Sequence, residues 1–280
     1  MSVEDRPYHF EIGSVPWSRD EMIASIEEFS LLYDRRPVRD NEGGMMSPHL
    51  FALWSALRKL MPPVVIESGV WKGQGTWFIE NACPQADIYC LDVTYRHLQY
   101  RSSRARYLEQ DFVSVDWSGI PRERTVLFVD DHQSAYERAK SAYWMGFRHL
   151  LFEDNYTPGK GDVYSMKKVL MGAGCEPYSP YPIPLWIRRK AWRLLFGMAC
   201  PRHLDVPPNL VDAVYLKEHT EVYYEFPPVF KATETRWGDP WEDRLYPTQE
   251  PLLTEVEQPY QRVFQDQATQ YTWMCYLCLR

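Results

Sequence analysis

The sequence predicts an α/β protein built on a doubly wound, mostly parallel sheet, and two observations carry that prediction. Four short apolar runs, at residues 64–67, 88–93, 125–131 and 149–154, alternate with helix-like segments. Up to its acids each run is continuously apolar after at most one polar residue, as expected of strands covered by helices on both faces. Each also ends at or beside an acid. In open α/β sheets ligands sit at the carboxyl ends of the strands, so those acids stand where function belongs.

The elements follow in order. Residues 1–61 read as a helical N-terminal lead-in. Ser18 with Glu21 forms a capping box that opens a helix over 20–33, with Met22, Ile23, Ile26, Phe29 and Leu32 near helical spacing. Ser47 as N-cap and Pro48 at the first helical position start a second helix over 50–60, and Pro62-Pro63 ends it. Residues 62–280 form the main domain. Helix-like segments at 75–82 and 134–146 separate the strands, the latter behind a second capping box of Ser134 and Glu137. From 174 to 261 the composition shifts: thirteen of the 22 prolines lie there, with Trp186, Trp192, Trp237 and Trp241. That stretch reads as an ordered insertion or lid. Residues 258–264 and 271–279 then read as an antiparallel C-terminal strand pair joined by a polar turn.

Composition narrows the function. The chain has 280 residues, 45% hydrophobic and 25% charged, enough for a full core. It has no run of about 18 uncharged apolar residues for a membrane span, and Met1 to Gly13 lacks the pattern of a secretory leader. A net charge of −7 argues against a nucleic-acid partner, and 15% aromatic residues argue against disorder. Six cysteines make no disulfide framework: Cys83, Cys90, Cys175 and Cys200 are scattered, and Cys275 with Cys278 reads as two buried thiols in a terminal strand. A reducing, cytoplasmic location is the expectation. Oligomeric state is not encoded legibly.

The first strand runs into Glu67-Ser-Gly69-Val-Trp-Lys-Gly73-Gln-Gly75-Thr76. Glycines at this spacing suit a sharp strand-to-helix turn whose backbone approaches a ligand. The same spacing occurs in short-chain dehydrogenases, and Tyr136-Glu-Arg-Ala-Lys140 supplies their Y-x-x-x-K. Tyr136, however, follows Gly69 by only 67 residues, and the motif sits in a capped helix between consecutive strands. It reads as coincidence.

With its leading acid, E-x-G-x-x-x-G-x-G resembles the first motif of class I S-adenosylmethionine-dependent methyltransferases, which have a Rossmann-like sheet. Asp92, ending the second strand, matches the family's ribose-binding acid, and Gln110-Asp111-Phe112 its adenine position. The resemblance covers residues 60–156. It implies Glu67 near the cofactor's amino-acid end, Gly69, Gly73, Gly75 and Thr76 around it, Asp92 at the ribose and Asp111 at the adenine. An acid-lined pocket also suits a cationic sulfonium.

A second constellation lies at Asp130-Asp131-His132 after the fourth strand and Glu153-Asp154-Asn155-Tyr156 after the fifth. Neighbouring strand ends bring such groups together, and oxygen-rich ligands suit magnesium. The pairing resembles the divalent-metal site of O-methyltransferases of the catechol, macrolide-sugar and cephalosporin-related types. It implies Asp130 and Asp154 as metal ligands with Asn155 or Glu153, and Asp130 bordering the cofactor. It also implies His132 as general base, with Asp131 in reserve. His9, His49, His97, His149, His203 and His219 show no ligand spacing and read as ordinary. Arg188-Arg189 reads as a solvated face rather than a carboxylate clamp. The expected activity is methyl transfer from S-adenosylmethionine, with Mg2+, to a hydroxyl of a sugar, glycan or secondary metabolite. A metal-independent methyltransferase, an NAD-linked sugar oxidoreductase and a non-catalytic nucleoside-binding protein stay open as alternatives.

Overall fold

The computed structural model describes residues 11–174 and 208–280. Its elements in chain order are α1 (Arg19–Tyr33), α2 (Ser47–Leu60), β1 (Val64–Ser68), α3 (Gln74–Ala82), β2 (Asp87–Leu91), β3 (Ala105–Leu108), β4 (Thr125–Val129), α4 (Ala135–Trp144), β5 (His149–Phe152), α5 (Met166–Leu170), α6 (Leu210–His219), β6 (Thr220–Glu225), α7 (Arg262–Asp266) and β7 (Cys275–Leu279). The strands form one seven-stranded sheet in the order β3-β2-β1-β4-β5-β7-β6. β1 to β5 are parallel, and β7 runs antiparallel to both β5 and β6. The α/β class with a mostly parallel sheet and antiparallel C-terminal strands is therefore observed.

The sheet is covered on both faces, which explains its uninterrupted apolar strands. Val65, Ile88, Cys90, Val126, Phe128 and Leu151 pack with α1, α2 and α3. Their neighbours Ile66, Leu91, Leu127, Val129, Leu150 and Phe152 face the other way, against α4 and α5. The lead-in helices thus share the sheet's core. Ser18 caps α1 in the expected reciprocal box with Glu21. For α2 the N-cap is Met46, with Ser47 and Pro48 already in the first turn.

The C-terminal pair forms from different residues than the sequence predicts. β7 is as expected, but its partner is β6, drawn from the stretch read as an insertion. Residues 258–264 are helical instead. Pro259 sits in the first turn of a 3-10 helix whose Gln258 and Gln261 cap each other reciprocally, and this turn leads into α7. A proline that suits a first helical turn removes a ladder donor from a strand. Cys275 and Cys278 are buried free thiols on opposite faces of β7. Cys175, Cys200, Trp186, Trp192, Arg188, Arg189, His9 and His203 lie outside the described residues. Among those described, no helix is long and apolar enough to cross a membrane.

Candidate active site

β1 lies between β2 and β4, so the chain winds outward in both directions from it and leaves a crevice at the carboxyl ends of β1 and β4. The strand ends are clamped together there. Gly69 N–H donates to the Leu91 carbonyl, Asp130 N–H to Ser68 O at 2.8 Å, and Glu153 N–H to Val129 O at 3.1 Å. Backbone hydrogen bonds thereby fix the terminal acids of three strands relative to one another.

Two cavities open on this edge. The first, of about 210 Å3, is lined by Gly69, Asp92, Asp111, Asp130, Asp131 and His132 among others. The second, of about 300 Å3, is lined by His49, Asp130, His132, Glu153, Asp154 and Tyr156 among others. Asp130 and His132 belong to both, so the cavities adjoin at that pair.

In the first cavity Asp92 accepts from the Val70 and Trp71 N–H groups with Oδ2 and from Thr94 N–H with Oδ1. These bonds fix its orientation and leave a lone pair on Oδ1 for a hydroxyl donor. Asp111 is gripped bidentately by Arg138 at 2.8 and 2.6 Å, and this pairing holds its carboxyl below the usual range. Arg138, buried in α4, also donates Nε–H to Asp131 at 2.9 Å.

Asp131 accepts further from the Ser68 hydroxyl and from Gln133 N–H. Paired with Arg138 and holding Ser68 and Gln133, the reserve base also anchors the cavity wall. Its turn to Gln133 also frames His132, whose φ of 52° is left-handed, an unusual conformation for a non-glycine residue at a site.

Glu67, Gly73, Gly75 and Thr76, expected around the cofactor, line neither cavity. Glu67 is buried beneath the floor, accepting from Thr76 Oγ1 and Cys90 Sγ, and burial pushes its carboxyl up to about 8. The glycines answer to the protein's own packing. A Cβ on Gly73 would lie 2.2 Å from Tyr100 O and one on Gly75 2.3 Å from Glu67 Oε1. Gly69 does line the cavity, but a Cβ there would lie 2.0 Å from Asp130 O. The large residues of this loop also have a task. Trp71 Nε1, Lys72 Nζ and Gln74 Nε2 donate to the carbonyls of Glu42, Asp40 and Met45, tying down the segment at 40–45 that borders both cavities.

At the junction one ligand atom each from Asp130, His132 and Asp154 lies within 4.8 Å of the others. Burial, then the Glu153 and Asp154 carboxylates, holds Asp130 well above the usual range, and burial beside Glu153 does the same to Asp154. Asp154 Oδ2 is buried without a hydrogen-bond partner. His132 Nδ1 lies 3.4 Å from that oxygen and 3.6 Å from Asp162 Oδ2, and these carboxylates, Asp162 foremost, raise its pKa to about 9. Two carboxylates, one with an orphaned oxygen, beside an imidazole nitrogen fit a divalent cation.

Asn155 does not join this set. Its Nδ2 donates to Tyr223 OH and its Oδ1 accepts from Lys167 N–H, both at 2.8 Å. It braces β5 against β6 and α5; Glu153, the other alternative expected from the sequence, also lies outside the group and meets His49.

Glu153 faces the second cavity under the control of His49, which reads as ordinary from sequence alone. His49 Nε2 accepts from Thr272 N–H at 2.9 Å, so its proton is on Nδ1 and is donated to Glu153 Oε1. Burial lowers the His49 pKa to about 4, keeping the ring neutral. Neither Tyr136 nor Lys140 lines a cavity: Tyr136 is buried in the core, and Lys140 pairs with Glu137. Of the stretch read as a lid, Arg236 reaches the second cavity, and Trp237 packs edge-on against Tyr156 with centroids 5.5 Å apart.

No protein-family model and no curated protein matches the chain. Solved structures with a similar fold include O-methyltransferases. A CmcI apo-structure matches at 16% identity over 39% of this chain and 52% of that one, with a TM-score of 0.33. The O-methyltransferase of Bacillus cereus in complex with SAH matches at 13% identity over 48% and 66%, with a TM-score of 0.32. TomG of Streptomyces achromogenes, an O-methyltransferase of tomaymycin synthesis solved with SAM, matches at 14% identity over 64% and 79%, with a TM-score of 0.38. The first two matches span less than two thirds of those chains. The chemistry of the site follows from its own residues, not from these likenesses.

Proposed function

We propose that this chain is an S-adenosylmethionine-dependent O-methyltransferase that uses a divalent metal, with a hydroxyl of a sugar, glycan or secondary metabolite as acceptor. One observation carries the reading: two cavities at the carboxyl edge of the sheet adjoin at Asp130 and His132, beside a buried Asp154 oxygen without a donor. The first cavity suits a sulfonium nucleoside, because Asp92 keeps an acceptor site on Oδ1 for a hydroxyl and the walls are acidic. The second suits the acceptor.

Methyl transfer is a displacement in which an acceptor oxygen bonds the methyl carbon, the sulfur keeps the electron pair, and the hydroxyl proton leaves. Asp130 and Asp154, with Glu153 beside them, would hold a divalent cation. Such an ion supplies Lewis acidity that makes a bound hydroxyl more acidic, and its charge offsets the carboxylates that keep His132 protonated. His132, once neutral, is placed to take the hydroxyl proton. His49 orients Glu153, Arg138 holds Asp111 and Asp131 at the other cavity, and the 40–45 segment helps exclude water.

The test is calorimetric binding of S-adenosylhomocysteine and of NAD, followed by transfer of a labelled methyl group to pooled sugar and metabolite hydroxyls with and without EDTA. Binding of S-adenosylhomocysteine but not NAD, with EDTA-sensitive transfer, is expected. NAD binding in its place would sink the reading, and EDTA-resistant transfer would remove the metal from it.

A further inference from the structure

Two exposed arginines from distant parts of the chain line the second cavity. Arg39 comes from the segment between α1 and α2, and Arg236 from the segment after β6. Among the described residues neither makes a hydrogen bond or an ion pair, although Asp40, Glu42, Glu153 and Asp154 line the same cavity. Asp130 and His132 border both cavities, whereas the two arginines border only the second. Neither belongs to the Asp130, His132 and Asp154 group at the junction, where the reacting hydroxyl belongs. Arg236 is near enough to His49 and Tyr156 for its charge to act on both. A guanidinium is a rigid fork of donors matched to carboxylate and phosphate oxygens.

We propose that Arg39 and Arg236 form an anion subsite, so that the acceptor carries a carboxylate or phosphate group in addition to the hydroxyl that is methylated. This rests on reading the second cavity as the acceptor pocket. It narrows the acceptor class from any hydroxyl compound to an acidic one, such as a uronate or a sugar phosphate.

Calorimetric titration of the full chain with D-glucuronate, glucose 1-phosphate and glucose tests the subsite. Each titration is run with S-adenosylhomocysteine and Mg2+ present and again with both omitted. At least one of the two anions is expected to bind about tenfold or more tightly than glucose, and which one does so distinguishes carboxylate from phosphate. In the R39A/R236A double variant that advantage should vanish with S-adenosylhomocysteine affinity unchanged, and R39K/R236K should retain part of it. Anions binding no better than glucose, or equally well to R39A/R236A, would overturn the subsite. Arginine-dependent anion binding in a chain that does not bind S-adenosylhomocysteine would keep the subsite and overturn methyl transfer.

Discussion

Asp154 and His132 face each other at 3.4 Å, Oδ2 to Nδ1, and that oxygen is buried with no hydrogen-bond donor of its own. A buried carboxylate beside Asp130 and Glu153 is destabilising unless a cation compensates it. Asp154→Asn should therefore act oppositely on fold and function. Without metal the variant should be more stable than the parent, by about 1–3 kcal/mol in urea unfolding near neutral pH, since the cost of either protonating or ionising a buried carboxyl is gone. Its Mn2+ affinity, followed by electron paramagnetic resonance, should fall by roughly a hundredfold or more, beyond the 10–100-fold typical of outer-shell changes. Unchanged Mn2+ affinity would remove Asp154 from the cation site.

Arg138 joins Asp111 and Asp131 across the floor of the first cavity. Arg138→Met would leave Asp131, whose side chain is 12% exposed, deprived of its guanidinium, while Asp111, at 43%, would regain water. Discounting that exposed half, the expected loss is about 2–3 kcal/mol of folding stability. S-adenosylhomocysteine affinity should fall as well, because Asp111 and Asp131 line the cavity. Arg138→Lys, with a point charge in place of a fork, should recover part of both. A Met variant as stable as the parent would show that the network is incidental.

The sequence made the sheet legible where strands are largely covered: β1, β2, β4 and β5 each carry a run of apolar residues. β6 is hidden because it sits amid prolines and tryptophans that suggest irregular chain, and 258–264 misleads because its composition outweighs the position of Pro259. The strand-end acids were legible because topology alone gathers them. The groups that govern them were not. His49 reaches Glu153 across 104 residues of sequence, and Arg138, Arg39 and Arg236 are ordinary charged residues until the fold aims them. Local motif reading also assigned Gly73 and Gly75 to a ligand, whereas their neighbours are the protein's own atoms.

That reassignment has a measurable consequence. Gly73 has φ of 87°, and a Cβ there would meet a backbone oxygen, which cannot rotate aside. A Cβ at Gly75 meets the end of the Glu67 side chain, which can move. Gly73→Ala should therefore cost more stability than Gly75→Ala, about 2 kcal/mol or more against roughly 1. The difference should persist in thermal melts without any cofactor. Melts equal to the parent's, with cofactor affinity alone reduced, would return Gly73 to the ligand.

Glu67 makes stability depend on pH, with a definite sign. Burial raises its carboxyl from 4.5 to about 8 in the folded chain. Between those values the folded state holds a proton that the unfolded state has released. Stability is thus fully present below pH 4.5 and declines as pH rises through 8, where a buried charge must form. Glu67→Gln keeps the shape and removes the titration, although its amide must still satisfy Thr76 and Cys90. In urea unfolding at pH 6 and pH 9 the parent should lose on the order of a few kcal/mol more than the variant over that interval. Parallel pH profiles for the two proteins would mean that Glu67 is ionised in the fold, with a compensating cation close by.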